Sequence, residues 1–187
     1  DKYPTIIDFF EVYKDLLCKP IQTIRSENGK PVISITDVLV LMPTMKDRFY
    51  SISSSDLLSP EALSITVGLY QQETSEGKIE KGTCSSYLRS LSSGTAFNAR
   101  VVKSSFRCPS DPTFPVVLIG GGTGIAPFMA FMEERAAEFA SYSQYAKWHF
   151  FFGCRTKGEF LYKDKIEKWD KDGVITSHIA YSRETDE

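Results

Sequence analysis

Gly120-Gly121-Gly122-Thr123-Gly124 follows four apolar residues, Val116, Val117, Leu118 and Ile119, and precedes a helical pattern that starts at Pro127. Glycine has no Cβ and tolerates positive φ, so a run of glycines lets backbone N–H groups close on a bulky anion. A helix starting behind the run adds free N–H donors and the positive end of its dipole. Strand, glycine turn and helix start together make a phosphate seat. The bland alternative is a tight turn that only closes a βα unit, and a short motif of this kind does not decide between the two.

Three other patterns accompany it. Arg48-Phe49-Tyr50-Ser51 sets an arginine beside alternating aromatics; the guanidinium can clamp a pyrophosphate while a ring lies against a flat heterocycle. Equally, Tyr50 can be a sheet wall and Arg48 a surface charge. Lys81-Gly82-Thr83-Cys84-Ser85 opens a helical stretch, giving either a second anion site or an ordinary capped helix. Phe152-Gly153-Cys154-Arg155 and Tyr181-Ser182-Arg183 both end apolar runs. In an open parallel sheet, ligands bind at the carboxyl ends of the strands, where Arg183 beside Ser182 would seat an extra phosphate. Against that, Arg183 can be a solvated loop arginine and Cys154 a small buried hydrophobe.

Two kinds of element must position these groups. Apolar residues alternate over 48–53, 63–70 and 95–103, with Ile65, Val67 and Leu69 on one face, which predicts short strands of an antiparallel barrel or sandwich. Beyond Phe114 the pattern becomes β-α-β-α-β. Strands are expected at 116–119, 148–152 and 174–180. Between them lies a helix striped by Phe128, Phe131, Met132 and Phe139, and another marked by Tyr162, Ile166 and Trp169. That order predicts a parallel sheet with crossover helices. Prolines 109, 112 and 115 mark the break. Ahead of the barrel, helical spacing over 5–17, a polar loop at 26–31 and a short helix over 36–42 are expected.

Composition bounds the rest. The 187 residues allow one large or two small domains. A 42% hydrophobic and 25% charged chain reads as ordinary globular protein, and the net charge of −2 argues against nucleic acid as a partner. No apolar run reaches the roughly 20 residues of a membrane span. Cys18, Cys84, Cys108 and Cys154 lack metal-ligand spacing, and with His149 and His178 as the two histidines no metal site is expected. Reduced thiols in a cytosolic type of compartment follow.

In their order and separation, the four patterns together resemble the ferredoxin–NADP reductase superfamily, and most closely its diflavin branch: NADPH–cytochrome reductases, self-sufficient haem monooxygenase fusions, sulfite reductase flavoproteins and nitric oxide synthase reductase regions. The resemblance implies an α+β two-domain chain. Residues 1–44 would end a helical connecting region, 45–112 would form an antiparallel FAD-binding β-barrel, and 113–187 would form part of a parallel α/β NADP-binding domain. It implies Arg48 on the FAD pyrophosphate, Phe49 and Tyr50 against the flavin, and Ser51 near flavin N5 as the catalytic residue. Thr66 and Val67 would add flavin contacts, and Gly82, Thr83, Cys84 and Ser85 a second FAD phosphate loop. Gly121, Thr123 and Gly124 would take the NADP pyrophosphate, with Cys154 and Arg155 beside them. Ser182 and Arg183 would grip the 2′-phosphate, favouring NADPH over NADH.

The implied activity is hydride acceptance from NADPH by FAD, with electrons passed through FMN to a haem protein; FMN and haem would belong to partner domains. The glycine run departs from the proline-bearing loop common in the branch. A lysine-x-tyrosine after Arg183, a tyrosine-x-cysteine-glycine strand and a terminal aromatic over the flavin are not in the sequence, so a segment of a longer protein is expected. A cytoplasmic location follows, or the cytosolic face of the endoplasmic reticulum if an anchor lies elsewhere. Two alternatives stand: a flavin- and nucleotide-binding module without turnover, and a reductase segment serving a sulfite reductase or nitric oxide synthase type of acceptor. A P-loop hydrolase is excluded, because the loop lacks the lysine and serine/threonine such sites place on phosphate and magnesium.

Overall fold

The computed structural model describes residues 46–139 and 146–184. The helices expected over 5–17 and 36–42 and the loop at 26–31 lie outside the described residues. The chain divides into two compact units, Asp1–Arg48 and Phe49–Glu187. In the first, Arg48 Nη1 donates to the carbonyl of Lys46 at 2.7 Å. The remaining description concerns the second.

Its carboxyl-terminal part follows the expected β-α-β-α-β order. Strand β3 (Val116–Gly121), helix α2 (Ala126–Glu138), β4 (Trp148–Cys154), helix α3 (Lys163–Lys171) and β5 (Thr176–Tyr181) run in sequence, and the strands form a parallel sheet ordered β3-β4-β5. Register pairs Gly121 with Gly153, and Cys154 with Tyr181. A 3₁₀ turn over Gly122–Ile125 joins β3 to α2. Pro127 suits the first turn of α2, where its missing N–H leaves no bond unmade. Helix α3 ends at Gly173, whose φ of +76° is the left-handed cap that glycine adopts without a Cβ clash.

Alternation along the strands sorts the two faces of this sheet. Leu118, Phe150 and Phe152 point to the side where Met129 and Met132 of α2 and Ile166 and Trp169 of α3 complete one buried cluster. Burying a side chain such as Phe150 stabilises the fold by about 1.5–3 kcal/mol. The opposite face carries exposed Val117, Ile119 and Phe151, together with a histidine pair, His149 Nδ1 lying 3.2 Å from His178 Nε2. Among the described residues nothing covers it.

The amino-terminal part departs from expectation. Of the three alternating segments, 48–53 and 63–70 meet in a single antiparallel bridge, Ile52 to Ile65, and 95–103 forms no strand. The one regular hairpin there pairs β1 (Gln71–Glu73) with β2 (Ile79–Lys81), and helix α1 (Thr83–Ser90) follows. No closed barrel exists among the described residues. The physical reason is visible in the side chains: Phe97, Val101 and Val102 stay exposed, Val101 at 72%, so alternation found no second layer to bury against. Period-two patterning reports a half-buried surface, and pairing needs a partner strand that alternation does not supply.

Candidate functional site

The carboxyl edge of the sheet gathers the glycine loop and the two arginines. Glycine 121 ends β3 beside Gly153, and the loop turns away through Gly122, at φ +51°, before α2 begins. Cβ atoms built on Gly122 or Gly124 would meet nothing within 4 Å, and one on Gly121 would touch only the Gly153 carbonyl at 3.5 Å. Packing therefore does not require glycine at 124. What glycine leaves there is exposed backbone at a helix start, which fits a pyrophosphate. Gly120 is different: its Cβ would sit 2.9 Å from the Phe128 ring, so the first glycine of the run serves helix–strand packing.

Beyond β5 the ladder continues, Ser182 N–H donating to the Cys154 carbonyl at 3.0 Å and Arg183 N–H to the Arg155 carbonyl at 2.9 Å. These bonds bring Arg155 and Arg183 to adjoining positions on one edge. The Arg155 side chain is engaged by Glu159, Nε to Oε2 at 2.8 Å and Nη2 to Oε1 at 2.5 Å. That pairing raises the arginine above its ordinary value and holds Glu159 below the usual carboxylate range. Arg183 and Ser182 are exposed, and the Arg183 guanidinium has no ion pair among the described residues. Arg183 is therefore the arginine available to a ligand anion. The Cys154 side chain turns into the core beneath the edge, where burial raises its thiol, with Glu159 and Glu184 adding to the effect. Its Sγ bonds the Thr156 carbonyl at 3.5 Å.

The other predicted residues lie on the preceding segment. Ser51 is exposed, Tyr50 half-buried and Phe49 73% exposed. One step along the antiparallel register of the Ile52–Ile65 bridge lie Ser51 and Thr66, and Val67 follows, half-buried. Gly82 is bound to this segment by its N–H, which donates to the Tyr70 carbonyl at 2.9 Å; a Cβ there would lie 2.7 Å from Ser85 Oγ and 3.0 Å from Tyr70 Cβ. Ser85 points inward, its hydroxyl accepting from Tyr70 N–H at 3.3 Å and donating to the Gly82 carbonyl at 3.3 Å. Thr83 and half-buried Cys84 remain at the surface of the turn. The two groups of residues meet where Gly68 faces Thr123: a Cβ on Gly68 would come within 3.1 Å of Thr123 Cγ2.

Sequence reasoning missed the residues that hold the groups together. Glu133 is buried, accepting from Ser55 N–H at 2.9 Å and from Lys165 Nζ at 2.6 Å. Tyr162 places its hydroxyl 2.6 Å from Thr66 Oγ1 and 3.3 Å from Ser53 Oγ. One signal was present. Met129, Met132, Glu133 and Ala136 share helical spacing, so Glu133 falls on the apolar stripe of α2, where an unpaired carboxylate would be expensive.

Known proteins resemble both parts of the chain. The family model for an FAD binding domain matches residues 12–87, and that for an oxidoreductase NAD-binding domain matches residues 118–187. Among curated relatives, a bifunctional cytochrome P450/NADPH–P450 reductase of Bacillus subtilis is 37% identical over 148 residues, which are 78% of this chain and 14% of that protein. The NADPH–cytochrome P450 reductase of Mus musculus is 35% identical over 152 residues, 77% of this chain and 22% of the relative. The chain belongs to the diflavin branch of the ferredoxin–NADP reductase superfamily. This diflavin-branch chain carries FAD-binding and NAD(P)-binding domains, and it spans less than a quarter of the length of these relatives. Among its described residues no helix is long and apolar enough to cross a membrane.

Proposed function

We propose that the chain is the FAD- and NADPH-binding part of a reductase that feeds electrons through FMN to a haem protein. The single observation that carries this reading is the approach of Gly68 to Thr123, which sets the flavin-facing segment against the phosphate loop of the sheet. Held by these residues, FAD would supply the two-electron chemistry, the capacity to accept a hydride from NADPH and to give up electrons singly. The protein's part is binding and orientation. Arg48 would neutralise the FAD pyrophosphate, Phe49 and Tyr50 would flank the flavin, and Thr66 and Val67 would line it. Gly82, Thr83, Cys84 and Ser85 would form the second phosphate turn, with Ser85 acting from below through Tyr70. Ser51 would present its hydroxyl beside the transferring hydride as the catalytic residue.

On the sheet, Gly121, Thr123 and Gly124 would bind the NADPH pyrophosphate, and Ser182 with Arg183 the 2′-phosphate. Arg155 would contribute only as far as Glu159 releases it, and Cys154 would act by packing beneath the edge. In the domain division this reading uses, 1–44 ends a connecting region, 45–112 is the flavin domain and 113–187 belongs to the nicotinamide domain; in the whole protein the flavin domain's strands would close into a barrel. Partners would be an FMN domain and a haem-protein acceptor; the names of the relatives give cytochrome P450 for those proteins.

The test is direct. Protein reconstituted with FAD should show a flavin spectrum that bleaches under anaerobic NADPH; a chain that takes up no FAD sinks the proposal. Arg183→Ala should weaken NADPH about tenfold, the worth of one exposed charge-assisted contact, while NADH affinity stays within twofold. Equal loss for both nucleotides would place the 2′-phosphate elsewhere.

A further inference from the structure

Tyr162 is the only non-glycine residue among those described with positive φ, at 57°. Holding a bulky residue there costs on the order of 1–3 kcal/mol, and such strain persists only where the surroundings over-determine it. Its ring packs against the buried cluster, a task phenylalanine would do as well. The hydroxyl has a separate use, lying 2.6 Å from Thr66 Oγ1 and 3.3 Å from Ser53 Oγ. Those two residues sit on opposite sides of the Ile52–Ile65 bridge, so one phenol grips both chains of the flavin-facing ladder. No strand of the parallel sheet pairs with that ladder. Side chains therefore help hold it over the sheet, among them the Tyr162 hydroxyl and the Glu133 carboxylate on Ser55 N–H, with Gly68 facing Thr123.

We propose that Tyr162 is a positioning residue: through Thr66 and Ser53 its hydroxyl fixes the flavin-facing ladder at the distance from the nicotinamide-binding sheet that hydride transfer requires. The proposal rests on the flavin–nicotinamide reading above and adds a residue that touches neither cofactor. Reacting atoms must approach within about 3–3.5 Å, and a misplacement of about 1 Å can cost as much as a hundredfold in rate. A ladder freed from one of its posts and still held by others shifts by less than that, so a loss of about tenfold is expected.

The experiment compares the FAD-loaded chain with Tyr162→Phe, Thr66→Val and the double variant. It reads the FAD and NADPH dissociation constants, the visible circular dichroism of the bound flavin, and the bleaching rate at saturating NADPH per bound flavin. Tyr162→Phe should bleach about tenfold more slowly with both dissociation constants within twofold of wild type, and the flavin dichroism should change. The double variant should lose less than the product of the two single losses, because both remove the Tyr162–Thr66 bond. A purely structural role would lower flavin retention and leave rate and dichroism per bound flavin untouched; that result overturns the proposal, as do effects that multiply. Should Tyr162→Phe not fold, Ser53→Ala asks the same question by removing the other partner of the phenol; it should slow bleaching with both dissociation constants kept, and a wild-type rate overturns the idea. Wild-type protein that binds FAD but resists NADPH would refute the function reading instead, and the dichroism of the variant would still judge Tyr162.

Discussion

Gly124→Ala is expected to weaken NADPH binding roughly thirtyfold, about 2 kcal/mol, while the melting temperature stays level or rises slightly. The two halves of this expectation come from different facts. Nothing lies within 4 Å of the site where the new methyl would stand, and the backbone there is not in the left-handed region, so the fold accommodates alanine without strain. Replacing glycine at a compatible position also stiffens the unfolded chain, which favours folding by about 0.4–1 kcal/mol. The methyl instead occupies space that an anion needs in order to reach the N–H groups at the start of α2. Pushing the pyrophosphate outward forfeits one or two charge-assisted bonds, each worth about 1.5–3 kcal/mol. Gly120→Ala serves as the contrast, since its Cβ would press on the Phe128 ring at 2.9 Å and stability should fall. Calorimetry on both variants separates the roles; unchanged NADPH affinity in Gly124→Ala would remove the loop from the nucleotide site.

The parallel half of the chain was legible in sequence because its periodicities are strong and its punctuation unambiguous. The apolar run before Gly120 and the stripe of Met132 and its neighbours each report burial on a sheet covered by helices, and β3, α2, β4, α3 and β5 appear where those patterns stand. The amino-terminal part was legible in its alternation and not in its pairing. Alternation at 95–103 marks residues suited to a sheet face, yet Val101 and Val102 are exposed and the segment forms no ladder. Residues such as Arg183 could be assigned to an edge from strand order alone, because a parallel sheet puts every strand's carboxyl end on one side. Tyr162 and Ser85 could not, since their hydroxyls act across 96 and 15 residues of chain on partners that no local pattern names.

Glu133 shows how much of the arrangement depends on such contacts, and Glu133→Ala is expected to cost about 3 kcal/mol of folding stability. The carboxylate is 5% exposed and accepts from Ser55 N–H on one oxygen and Lys165 Nζ on the other. Deleting it leaves the N–H of buried Ser55 without an acceptor, a penalty of about 1–3 kcal/mol, and removes the packing of one methylene at about 0.8 kcal/mol. The larger loss typical of breaking a buried ion pair does not arise: the Lys165 side chain is 56% exposed and returns to water. Glu133→Gln should cost only about 1 kcal/mol, because the amide oxygen can still accept from Ser55 while Lys165 loses its charged partner. The order alanine worse than glutamine, read by chemical denaturation, distinguishes an acceptor held for a backbone N–H from an ion pair held for its charge. Equal losses in the two variants would make Lys165 the partner that matters, and an alanine variant within about 0.5 kcal/mol of wild type, the range of an ordinary surface substitution, would mean that Ser55 is held by something other than this carboxylate.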